Sequence, residues 1–453
     1  MTASSSNPTG RPVRRPAALV LAAALALAGC ASYQPLPLST GPQLHNTVAD
    51  LDPAGSDTSG ALDIETVVRL ALANNPDLRA VRAQQGVAEG QLLQAGLLPN
   101  PSVTGAFMPV LAGPGTASAW SAGFSTDFRA LITLTSHRDA AAAAARQVSA
   151  SILWQEWQTA GKVRLLVIQC DGDRRMAAVL RDTRALLDGR YRLTKAAVAA
   201  GDADLTTLSP DLAALGDVDK QIDDLDRQTQ AHQHDLNALL GLRPGSEVKL
   251  RPVAEPTSVD ATTIMADLHS LADRRPDLIA LRMGYAAQDA KLRSSILSQF
   301  PALNIGLVGG SDSTAIKTFG PQITLDLPIF DRNQGNIAIE RATRLQLREE
   351  FTARLAAAEG EAGRLLREIA LTTRQIPRLR ARTDEVRRIA ANAGAAFEAG
   401  NLTERAYVDF LAAHLARQQE LLGLEQSLRE QQVGLAALIG AGMPVVALPK
   451  DSE

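Results

Sequence analysis

The side chains able to carry chemistry are few and scattered. Cys30 and Cys170 are the only thiols, and neither has a partner at metal or redox spacing. Of the six histidines, His45, His137, His232, His234, His269 and His414, only His232 and His234 lie close together. On a helix, a separation of two residues turns side chains about 200° apart. Exposed helix surface, not a shared ion, is the expectation for this pair. No HExxH, CxxC, phosphate-binding glycine loop or GxSxG occurs. The reading is therefore a non-enzyme with no catalytic residue, no cofactor and no metal site. What remains are short polar side chains after glycine, Asp202 and Asp204 behind Gly201, and Asn401 and Thr403 behind Gly400. Their chemistry is that of a backbone reversal, with Asp204 and Thr403 as N-cap candidates for a returning helix.

A different chemistry stands at the front. Arg11, Arg14 and Arg15 precede an apolar run from Pro16 to Ala28, too short to cross a bilayer of about 30 Å as a helix. It reads as an export signal. Its end, Leu27-Ala28-Gly29-Cys30, looks like the lipobox of bacterial lipoproteins, in which the cysteine becomes the acylated (palmitate-bearing) first residue. Ser32, rather than Asp, resembles the pattern for onward transport to the outer membrane. Residues 1–29 are then a lipoprotein signal peptide and 30–60, rich in Pro, Ser, Gly and Asp, a lipidated tether. A net charge of −3 without a basic patch gives no support to a nucleic-acid partner. Aromatics make up 4% of a chain dominated by Ala, Leu and Arg, a composition of long helices.

The elements that position these residues come in two copies. Pro76-Asp77-Leu78, Ala80 and Arg82 recur as Pro276-Asp277-Leu278, Ala280 and Arg282. At the same offset of about 200 positions, Pro101 meets Pro301, Gly201 meets Gly400, and Gly241 meets Gly440. Each half reads as a Pro-opened helix, a strand pair, a long helix, a glycine turn and a returning helix. Ile323, Leu325, Leu327 and Ile329 alternate with polar neighbours, as do Trp120, Ala122, Phe124 and Phe128. Period two with one apolar side is a strand signal. On that reading Asp127, Arg129, Gln322 and Asp326 lie on the polar side of their strands. Long helices are expected from Arg138 to about Ala200 and from Asn336 to about Ala399, the second kinked or interrupted at Pro377.

Four strands cannot close a transmembrane barrel, whose smallest bacterial forms have about eight, and an open edge in lipid leaves backbone groups unpaired. Several copies must share one barrel, with two, three and four all open on spacing alone.

These features, with the run "LDLPIFDRNQGNI" from Leu325 to Ile337, resemble the TolC-type outer membrane efflux proteins. The Pro328 to Gly335 segment resembles most the branch serving heavy-metal resistance-nodulation-division pumps. The resemblance implies a mainly α fold with a small transmembrane β part. The duplicated unit would form a trimeric, 12-stranded β-barrel continued by a long α-helical barrel. It further implies residues 61–245 and 257–444 as the two repeats, 246–256 as linker and 445–453 as tail. The implied function is the passive outer membrane channel of a tripartite pump, docked to a periplasmic adaptor and through it to an inner membrane transporter. The outer membrane lipid is its surroundings. Heavy-metal cations are the implied cargo, drugs or secreted protein the alternative, and a non-conducting envelope tether the reading from another class. Gly201, Asp202, Asp204, Gly400, Asn401 and Thr403 would form the periplasmic tip, gate and adaptor contact. Asp202 and Asp204, repeated by threefold symmetry, would make an acidic ring favouring cations. Asp127, Arg129, Gln322 and Asp326 would face the lumen.

Overall fold

The computed structural model describes residues 33–51, 60–113, 115, 117–253 and 261–443, the side chains of 261–263 excepted. The signal segment 1–29, Cys30, and the tail 445–453 lie outside these residues, as does the end of the linker. The chain divides into a unit ending at Gln43 and a body from Leu44 onward. In the former, residues 33–43 carry no helix or strand.

The body contains two runs of the same elements. The first comprises α1 (Ile64–Asn74), α2 (Pro76–Ala95), β1 (Ser102–Met108), β2 (Ala119–Asp127), α3 (Phe128–Ala200) and α4 (Leu208–Leu240). The second comprises α5 (Ala261–His269), α6 (Leu271–Arg274), α7 (Pro276–Leu297), β3 (Ala302–Ser311), β4 (Lys317–Asp326), α8 (Gln334–Glu398) and α9 (Glu404–Ile439). Pro76 and Pro276 open their helices at the first turn, where no N–H is required. Gly241 and Gly440 close the returning helices in the left-handed conformation, at φ of 69° and 65°.

The long helices differ from expectation at two places. α3 begins at Phe128, ten positions before Arg138, because the Asp127 carboxylate accepts from the N–H groups of Arg129 at 2.9 Å and Ala130 at 3.2 Å. That cap ends the strand and starts the helix, so Phe128 and Arg129 are helical and are not strand residues. α8 runs unbroken through Pro377, which overturns the expected interruption. Buried Ile376 and Leu379 flank the proline and hold the helix against α9 on either side of the one missing bond.

Two apolar clusters sit where helices of one half converge. Val67, Leu70, Val163, Val167, Leu236 and Leu240 form the first, and Leu271, Leu278, Ala362, Leu435 and Ile439 the second. The strands make one antiparallel sheet in the order β1-β2-β3-β4, so β2 and β3 join the halves.

Candidate conduit elements: the sheet and the hairpin tips

Register across the sheet sorts its side chains by chemistry. Val103 stands opposite Phe124, which stands opposite Leu307; Ile305 pairs with Ile323, and Leu303 with Leu325. These residues share one face with Phe107, Trp120 and Phe319. The other face carries Ser, Thr, Gly and Ala with Asn304, Gln322 and Asp326, interrupted by Met108 and Val308. Gly306 belongs to it, and an added Cβ there would strike the Phe124 carbonyl oxygen on the adjacent strand. The apolar face is bare, with Val103 80% and Phe319 78% exposed. β1 and β4 each pair on one side only, leaving two rows of open backbone groups among the described residues.

Gln322 and Asp326 thus lie on the polar face, as does Asp127, which stands opposite Asn304 at the end of β2 and also caps α3, whereas Arg129 lies in the first turn of that helix. Leu327 and Ile329 also fall beyond the strand. β4 stops at Asp326, and Pro328 has no N–H with which to extend it. The following loop turns at Asn333, whose φ is 60°. Its amide donates to the Ser295 carbonyl at 2.8 Å.

The two helix turns superpose in hydrogen bonding. Asp202 N–H donates to Ala197 O at 2.9 Å, and Asn401 N–H to Ala396 O at 2.8 Å, around Gly201 at φ 82° and Gly400 at φ 74°. Thr403 accepts from Ala406 N–H at 3.4 Å and caps α9. Asp204 makes no such side-chain cap; its carbonyl, not its carboxylate, receives the Thr207 hydroxyl and N–H. The expectation of an Asp204 cap is therefore corrected, and the carboxylates of Asp202 and Asp204 are both on exposed residues.

Behind the tip lies a buried charge cluster. Asp211 on α4 is fully buried, 2.8 Å from Arg190 on α3, and receives the Thr194 hydroxyl at 2.6 Å. Arg190 also reaches Asp409 on α9 at 2.7 Å, and Arg405 stands 3.7 Å from Asp211. One arginine thus bridges the two hairpins. Arg190 and Asp211 flank Gly201 at nearly equal distances, which is the sequence signal that would have paired them across an antiparallel turn. A second bridge sits further along, where buried Asp171 meets Arg174, Arg175 at 2.9 Å and, on α9, Arg429 at 3.6 Å.

His232 is not free helix surface as expected. Its Nδ1 lies 2.7 Å from the buried carboxylate of Asp173, while His234 is exposed. Among the described residues no group of three His, Cys, Asp or Glu side chains is placed to hold a metal ion. Burial pushes the Cys170 thiol up to about 11, aided by the negative charge of Asp173. It stays protonated near neutral pH and is a poor ligand.

The family model described as outer membrane efflux protein matches residues 268–441. The multidrug resistance outer membrane protein MdtP of Escherichia coli (strain K12) is 28% identical over 218 residues, 45% of this chain and 44% of that protein. The match spans less than half the length of that relative. Among solved structures, a membrane protein from Pseudomonas aeruginosa aligns with a TM-score of 0.70 at 20% identity, covering 91% of this chain and 98% of that one. CusC aligns at 0.64 and 18% identity, covering 91% and 99%. The open state of the Neisseria gonorrhoeae MtrE outer membrane channel aligns at 0.66 and 14%, covering 92% and 100%.

Proposed function

We propose, from the premise that this chain is a TolC-type outer membrane efflux protein by family match and fold, that it is the passive outer membrane duct of a tripartite efflux pump. Three copies would close a 12-stranded barrel, with the helical hairpins continuing the tube into the periplasm toward an adaptor and an inner membrane transporter. The observation that carries this is the sheet: one face apolar and bare, the other mostly small and polar, and both edges unpaired among the described residues. In hydrocarbon an unpaired edge costs several kcal/mol per backbone group, so copies joined edge to edge are the stable form. A non-conducting tether has no use for such a face.

The test is mass and conductance. Detergent-solubilised protein should run as a trimer and pass ions across a planar bilayer. A detergent-free, water-soluble monomer with no conductance would overturn the reading.

Within it, Gln322 and Asp326 line the lumen, and Asp202 and Asp204 form an acidic ring at the tip. Support for the ring is that neither carboxylate is taken up as a helix cap. Asp202→Ala with Asp204→Ala should lower cation over anion permeability in the same bilayers; an unchanged ratio removes the ring and leaves the duct. Cys30 carries the lipid anchor, which a Cys30→Ala variant lacking acyl mass would establish. For cargo we favour heavy-metal cations, on the Pro328 to Gly335 run. MdtP, by its name, points to drugs instead. A deletion strain sensitised to metals but not to drugs supports the first; the converse supports the second.

A further inference from the structure

The long helix of the first half carries two returning helices. α3 packs along its own α4 and along α9 of the second half, whereas α8 packs along its own α9 and makes no comparable contact with α4. Four contacts mark the face that α3 turns to α9. Arg190 meets Asp409 at 2.7 Å, the Gln419 amide donates to the Thr183 hydroxyl at 3.3 Å, Asp171 lies 3.6 Å from Arg429, and a Cβ added to Gly172 would strike the Gln426 side chain.

An offset of 199 carries Gly201 onto Gly400 and Gly241 onto Gly440, and it carries that covered face of α3 onto a bare face of α8. Ile168, Val179 and Thr183 are buried; their equivalents Arg367, Arg378 and Arg382 are exposed. Elsewhere the two helices agree. Val163 and Leu166, which cluster with Leu236 of α4, fall on Ala362 and Leu365, which cluster with Leu435 of α9. Arg374 joins the bare stripe, since it follows Arg367 by seven residues and precedes Arg378 by four. None of these four arginines has a carboxylate partner among the described residues, whereas Arg380, off the stripe, pairs with Glu425 at 2.6 Å.

The complementary face is on α4. Moved back by 199, Gln419 and Gln426 fall on Lys220 and Arg227, both exposed, and exposed Asp223 and Asp224 stand between them. Moved forward, Gly172 and Thr183 fall on Leu371 and Arg382, with Arg374 and Arg378 between. The contact of α3 with α9 is thus repeated by a face of α8 and a face of α4 that do not meet within the chain. Both sides have changed together: where α3 and α9 carry Val179 and Leu422, α8 and α4 carry Arg378 and Asp223.

We propose that α4 of one copy lies along the arginine stripe of α8 in a second copy, with Asp223 and Asp224 against Arg374 and Arg378. The joint between hairpins is then apolar at Val179 within each chain and ionic at the same level between chains. Opposite charge fixes the register of neighbouring copies, and salt loosens it. This rests on the trimeric reading above and goes beyond it by assigning the surfaces that meet.

Disulfide trapping of the full chain in detergent tests it. In a Cys170→Ala background, Leu371→Cys with Arg227→Cys should on oxidation give chain-to-chain cross-links up to the trimer, and neither single variant should. Both positions are exposed. Adding Arg374→Glu with Arg378→Glu should slow that cross-linking about tenfold, and adding Asp223→Arg with Asp224→Arg as well should restore it. A trimeric parent whose cysteine pair stays reduced overturns the proposal and leaves the duct standing; a monomeric parent overturns both. Cross-linking by one single variant puts a face against itself and overturns the proposal. So does a pair that cross-links at an unchanged rate after charge reversal, because the contact would then not be ionic.

Discussion

The two halves share an order of elements and differ at their joints. Asn75 and Arg275 occupy the same position before the helix-opening proline, and both reach the last turn of the returning helix in their own half. Asn75 donates to Leu239 O at 3.0 Å, and Arg275 to Leu438 O at 3.4 Å. Asn75 also caps α2 through Leu78 N–H at 2.9 Å, so the first joint is neutral and closed within its half. Arg275 caps nothing. It forks onto buried Asp277, at 3.0 and 2.7 Å, and lies 4.9 Å over the Trp154 ring of α3 in the other half.

Position explains the difference. α7 is sandwiched between α3 and α8 and is buried along most of its length, whereas α2 packs on α3 and buries only Leu78 and Ala88. A duplicated helix inside the chain has two neighbours and its twin at the edge has one; in the proposed trimer its second neighbour would be another copy. On that proposal, divergence between the halves would mark the seam.

The largest expected effect tests the same asymmetry at the tip. The positions equivalent to Arg190 and Asp211 in the second half are Ile389 and Phe410, so charge on one hairpin is matched by apolar surface on the other. Arg190→Ala removes the nearest cation of a fully buried carboxylate, leaving Arg405 at 3.7 Å, and breaks the bridge to Asp409 as well. It should cost about 3–5 kcal/mol in denaturant unfolding and raise ion leak through the assembled channel. A variant of unchanged stability would mean the bridge is idle. At the joints, Arg275→Ala should cost about 3 kcal/mol, because Arg354 remains 3.6 Å from Asp277, against about 1 kcal/mol for Asn75→Ala. Equal losses would erase the contrast between a charged joint and a neutral one.

How much of this the sequence disclosed follows from which interactions are local. Pro at a helix start, Gly at a left-handed cap, and period-two strands depend on neighbours in the chain, and all three were legible. The end of β2 was not, because alternation through Phe128 masked the stronger local signal, an Asp cap accepting from two N–H groups. Asp204 failed in the opposite way: the helix it was expected to cap starts later, at Leu208, after a short 3₁₀ turn. Asp211, Arg429 and the Asp173 partner of His232 were invisible because their partners lie on other helices. The register across a turn had to be known first.

The seam itself gives the next prediction. Leu93 is 70% exposed near the end of α2, and the equivalent position in α7 is Arg293, paired with Asp289 at 2.7 Å. If the edge of α2 meets a second copy, Leu93→Asp should weaken the trimer by about 2 kcal/mol per contact, the value of one buried leucine. Mass measurement in detergent should then show smaller species with unchanged helix content. A trimer as robust as the parent would place the seam elsewhere on the helix.

The smallest effect concerns Cys170, whose counterpart in the second half is Ile369. Because the site is already apolar enough to push the thiol from 9.0 to about 11, Cys170→Val should change stability by less than about 1.5 kcal/mol. The pH dependence is more telling. A thiol whose folded value lies above its unfolded one favours the folded state while protonated, so its contribution is complete below pH 9 and fades as pH rises toward 11. Alkaline unfolding curves of the parent should therefore fall more steeply over that window than those of Cys170→Val, and iodoacetamide should label Cys170 slowly at pH 8. Fast labelling at pH 8 would mean that the packing around Cys170 opens to solvent, and the two halves would then differ in dynamics at this position as well as in side chain.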